Sequence, residues 1–67
     1  MENKPARIAL ADHIRSTGLK KQDFARMVGV RPDHLSRWLS GKVRPERPAC
    51  VLIYMLTDGA VPVEAWG

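Results

Sequence analysis

Eight of the chain's eleven Lys and Arg residues lie in one stretch, at Lys20, Lys21, Arg26, Arg31, Arg37, Lys42, Arg44 and Arg47. Only Asp23, Asp33 and Glu46 oppose them there, whereas Lys4, Arg7 and Arg15 elsewhere are outnumbered by Glu2, Asp12, Asp58 and Glu64. The whole excess behind the formal charge of +4 is therefore local. A concentrated basic surface suits phosphate groups, since cations gathered on one face attract a polyanion over a distance and then pair with it. Arg37 can go further, because a guanidinium donates two hydrogen bonds to the edge of a guanine in the major groove. Asp33, four residues earlier, can pair with Arg37 on one helical face, accept from a cytosine amino group, or simply favour a helix N-terminus. His34 reads either as a DNA contact or as an idle exposed residue. Ser36 reads either as a phosphate ligand or as a donor to its own helix.

Other chemistries lack their parts. No nucleophile, base and orienting group can be picked out, and no glycine loop cradles a phosphate, so the chain is not read as an enzyme. His13 and His34 have no partners at ligand spacing, and no metal or other cofactor is expected. Cys50 is the sole cysteine, which rules out an internal disulfide and fits a reducing, cytoplasmic setting. Residues 1–5 read as neither a signal peptide nor a membrane span. Trp38 and Trp66 fall at core spacing rather than among the basic residues, so they are read as core and not as stacking platforms for single strands.

With 67 residues the chain can hold one domain, taken as 1–67, and one small core. Pro5 can open a first helix over about Ala6 to Thr17, stopped by Gly18, with Ile8, Leu10, Ala11 and Ile14 as its apolar stripe. A second helix is predicted over Lys21 to Val28, burying Phe24, Ala25 and Val28 with Met27 at the margin. A third begins at Pro32, ends at Gly41 and buries Leu35, Trp38 and Leu39. The stretch Gly41 to Pro48 reads as a basic loop, because two prolines and a glycine forbid a continuous helix. Ala49 to Thr57 is apolar enough for a fourth helix or a buried strand; helix is preferred, with Asp58-Gly59 as its stop. The tail, 58–67, is expected to fold Val61, Val63 and Trp66 back over the core.

The stretch from Lys21 to Ser40, KQDFARMVGVRPDHLSRWLS, meets the joint demands of two short helices joined by a tight turn. Ala25 is small where the helices cross, Gly29 allows positive φ, and Phe24, Val28, Val30, Leu35 and Trp38 fill the angle between them. This segment resembles the helix-turn-helix of the phage Cro and repressor family. The turn VGV, the following LSRWLSGK and the closing TDGAVPVEAW are also similar to small prophage regulators and antitoxin-type domains. The resemblance covers roughly residues 8–66. It implies an all-α, repressor-like bundle of four to five helices with motif 21–40, whose third helix enters the major groove, and a homodimer on a palindromic double-stranded operator. It implies DNA contacts by Lys20, Lys21, Gln22, Arg31, Pro32, Asp33, His34, Ser36, Arg37, Lys42 and Arg44. The alternative is an antitoxin or anti-repressor module that acts through a protein partner. The chain departs from the family at Lys20 and Arg31, where members usually carry a Ser or Thr that caps the helix; losing such a cap costs about 1 kcal/mol. Either packing tolerates the change, or a DNA phosphate completes the free N–H groups.

Cys50 to Leu56 is a run of seven uncharged residues. One inward stripe, read as Val51, Ile53 and Leu56, leaves Leu52 and Met55 on another face. They are the expected dimer contact, unless the tail covers them within one chain.

Overall fold

The computed structural model describes residues 4–66; the expected domain also takes in residues 1–3 and 67, which lie outside this range. Helix α1 spans Ala6–Thr17, α2 Lys21–Val28, α3 Pro32–Ser40 and α4 Arg47–Leu56, and a 3-10 turn, η1, spans Val63–Trp66. The described residues form an all-helical bundle without strands. Ala49 to Thr57 is thereby settled as helical up to Leu56, and the helix begins two residues earlier than expected. Pro48 sits in its first turn. An amide N–H has no helical acceptor there, so proline starts this helix instead of ending the loop.

The first three helices stop on glycines with positive φ. Gly29 matters most, because its φ of 89° turns the chain from α2 toward α3 within three residues. Its N–H bonds back to the Ala25 carbonyl at 2.8 Å, and the Val30 N–H reaches the same oxygen at 2.9 Å. Any side chain at position 29 carries a left-handed penalty of about 1–2 kcal/mol. Asp58, φ 54°, and Gly59 end α4 in the same left-handed manner.

The core joins Ala6, Leu10 and Ile14 of α1 to Phe24, Ala25, Leu35, Trp38, Ile53 and Val61. Helix α3 packs on both α1 and α2, while η1 packs on α4 and α1. The tail thus folds back as expected, with Val61 wholly buried. Two apolar stripes differ from the expected ones. Ile8 is exposed, because α1 buries Ala6, Leu10 and Ile14 at steps of four, and a residue two steps off such a row faces away. Val51 is exposed too, since α4 turns Cys50 and Ile53 inward. The Cys50 thiol donates to the Pro45 carbonyl at 3.4 Å, and burial pushes its pKa up, so it serves as a core residue and not as a reactive thiol.

Candidate nucleic-acid interface

Helix α3 has two distinct sides. Leu35 and Trp38 are buried and Leu39 half-buried, while Pro32, Asp33, His34, Ser36, Arg37 and Ser40 are exposed. The inward residues lock the helix against α1 and α2, so the outward ones are presented from a fixed scaffold. Arg37 lies in the last turn, where a cation complements the helix dipole, and its side chain has no hydrogen bond or ion pair among the described residues. Asp33 pairs not with Arg37 but with Arg31, Oδ1 to Nε at 3.5 Å. Asp33 stands in the first turn and Arg31 at its N-cap, so the nearer cation takes it. Both groups are largely exposed, and such a pair contributes about 0–1 kcal/mol.

His34 is exposed on α3. Its ring stands edge-on to Trp38, centroids 5.2 Å apart and planes at 82°, which fixes the imidazole at the rim of the core. The Ser36 hydroxyl makes no bond to its own helix, unlike Ser40, whose Oγ donates to the Arg37 carbonyl at 3.1 Å. Ser36 therefore keeps its donor available to a ligand.

Two further groups flank this face. Lys20, Lys21 and Gln22 are exposed around the start of α2, and Lys20 and Arg31 are N-caps without a side-chain cap bond. The helices α1 and α4 lack such a bond as well, so open helix starts are general to this fold and not peculiar to the basic face. Beyond α3, the backbone N–H groups of Lys42 and Val43 bond to the Arg37 carbonyl at 3.0 and 3.4 Å. These bonds tie Lys42 to the end of the helix that carries Arg37. Lys42 and Arg44 are both exposed.

Arg7 joins this margin from far away in sequence. A methyl group added at Gly41 would meet Arg7 Cδ at 3.2 Å and Nε at 3.3 Å, so the Arg7 side chain lies across the end of α3. No sequence signal connects residues 34 positions apart, and Arg7 was not among the expected contacts. Leu52 and Met55 have different surroundings. Leu52 is half-buried in an apolar groove shared with Val28, Val30, Trp38 and Val43, whereas Met55 is 67% exposed beside exposed Val51 and Tyr54. The tail does not cover Met55. No group of His, Cys, Asp and Glu that could hold a metal ion, and no helix long and apolar enough to cross a membrane, occurs among the described residues. Compared with known proteins, the chain matches no family model, no curated protein and no solved structure.

Proposed function

We propose that the chain is a sequence-specific binder of double-stranded DNA and a transcriptional regulator of the Cro-like type, with α2, its turn and α3 acting as a helix-turn-helix. The observation that carries this is the division of α3: an anchored apolar side, and a polar outer side on which Arg37 is unpaired. A helix held in this way fits the major groove, with Arg37 on a guanine edge and His34, Ser36 and Asp33 around it. Lys20, Lys21, Gln22, Arg31, Pro32, Lys42 and Arg44 then border the groove, the cations toward phosphates.

Selection of binding sites from random duplexes, followed by affinity measurements, tests this reading. Arg37→Ala costs about 1–3 kcal/mol on the selected site and relaxes one base pair. Lys42→Ala weakens all duplexes alike and lowers the salt slope by about one. An unchanged consensus for Arg37→Ala removes the recognition role. If no duplex is retained even at low salt, the protein-partner reading takes its place.

The regulator acts as a homodimer, because a lone module of this size reads few base pairs. Val51, Tyr54 and Met55 occupy one face of α4 at steps of three and four and are all exposed, which offers an apolar patch for the twofold contact with Leu52 at its edge. Two copies so joined set their α3 helices about 34 Å apart, on successive major grooves. In sedimentation equilibrium the native chain, alone or on its operator, is dimeric, and the Val51→Glu, Met55→Glu variant is monomeric. Both substitutions fall on exposed positions and spare the core. A monomeric native chain, or a variant that dimerises equally well, eliminates this interface.

A further inference from the structure

Helix α4 carries its end charges in the unfavourable order. Each of α1, α2 and α3 has an arginine in its last turn, where a cation complements the helix dipole. Helix α4 has no basic residue in its last turn and no acidic residue in its first. It opens instead on Arg47, after an N-cap, Glu46, that makes no side-chain cap bond. Asp58 stands just beyond its other end, with its N–H on the Met55 carbonyl at 3.2 Å. Arg47 and Asp58 are both exposed, and neither side chain makes an ion pair or hydrogen bond among the described residues. Between them lie the exposed apolar side chains of Val51, Tyr54 and Met55. Steps of four and three place Arg47, Val51 and Tyr54 along one line of the helix, and Asp58 follows a turn later. The Tyr54 ring rests over Gly59, where a Cβ would meet its Cε2 at 3.8 Å. Tyrosine is among the residues that most often anchor protein–protein contacts. A line that runs from a cation through apolar side chains to an anion is complementary to a copy of itself turned end to end.

We propose that the occupant of this face is α4 of a second copy, running antiparallel, with Arg47 of each copy paired to Asp58 of the other. The inference rests on the dimer proposed above and adds its direction and register. In that register Val51 of one copy faces Tyr54 of the other, and the twofold axis crosses α4 between Leu52 and Ile53. A closed twofold contact demands a self-complementary patch of this kind. Each charge also meets the end of the neighbouring helix whose dipole favours it, Arg47 at the C-terminus and Asp58 at the N-terminus. A parallel arrangement would set Arg47 against Arg47 and Asp58 against Asp58. The contact does not depend on DNA binding.

Sedimentation equilibrium of the full chain over a range of concentrations tests the register, with circular dichroism to verify that each variant is folded. Arg47→Glu raises the dimer dissociation constant about tenfold, because both ion pairs turn to repulsion. The direction is diagnostic. This substitution lowers a net charge of +4 and puts an acid in the first turn of α4, so self-repulsion and helix stability alone would favour the dimer. Adding Asp58→Lys to Arg47→Glu recovers the lost affinity, since both pairs form again with their signs exchanged. Adding Asp58→Asn instead recovers part of it by removing the repulsion, with a side chain that tolerates the positive φ at this position. The register is overturned if Arg47→Glu dimerises as well as the native chain, or if neither second substitution tightens it. If Arg47→Glu dimerises like the native chain while the Val51→Glu, Met55→Glu variant is monomeric, the dimer stands and the register falls. A native chain that is monomeric at every concentration, free and on its operator, overturns both.

Discussion

Trp38→Ala is expected to remove about 3–5 kcal/mol of folding stability. Trp38 is 2% exposed and belongs to the same buried cluster as Leu10, Phe24, Leu35, Ile53 and Val61. Truncation leaves a void that helices on every side cannot close, and it also strips His34 of its edge contact. A chain of 67 residues has roughly 3–10 kcal/mol in total, so the variant loses cooperative unfolding in a thermal melt followed by circular dichroism. Trp38→Phe separates size from polarity. It gives up part of the ring, but it also deletes an unpartnered N–H whose burial is unfavourable by about 1–3 kcal/mol. The two effects oppose each other, and the phenylalanine variant melts close to the native chain. A Trp38→Ala variant with a native-like melt would show that the core does not depend on this side chain.

Thr57→Val has the next largest expected effect. Thr57 is the one buried polar residue among those described. Its Oγ1 donates to the Ile53 carbonyl at 2.8 Å and accepts the Val61 N–H at 3.2 Å, which joins the end of α4 to the tail. Valine keeps the shape and removes the acceptor, so the Val61 N–H is buried without a partner. The expected loss is about 1–3 kcal/mol, or about 4–8 °C in Tm for each kcal/mol in a domain of this size. Differential scanning calorimetry reads it directly. A valine variant as stable as the native chain would mean that water satisfies Val61, and that the hydroxyl is not the tie.

The elements whose limits were legible in the sequence are those with punctuation. Gly18, Gly29 and Gly41 mark three helix ends, and Pro32 marks a start, because those backbone geometries exclude most other residues. Pro48 misled because proline is permitted in the first turn of a helix and forbidden only later, and the residue alone does not tell which applies. Ile8 and Val51 misled because an apolar side chain is compatible with either face of a helix, and only packing decides. The candidate interface was legible as a list of cations and polar residues on α3, but their partners were not. Helical spacing offers Asp33 a partner in Arg37, but it pairs with Arg31 at the helix start. The double role of the Thr57 hydroxyl and the approach of Arg7 to Gly41 both join positions that are not periodic with one another. Local patterning carries no trace of them.

The packing of η1 on α1 has a kinetic consequence. Helices α2 and α3 are adjacent in the chain and can meet after closing a turn of three residues. The η1 contact joins opposite ends of the described chain, so it closes the longest loop and bears the greatest entropic penalty. Contacts of that kind form late on the way to the native state and are among the first to open from it. Short-lived detachment of this turn would uncover Trp66 while α2 and α3 stay docked. The surroundings of Trp66 therefore exchange with solvent through a local excursion, at a rate set by the tail and not by unfolding of the domain.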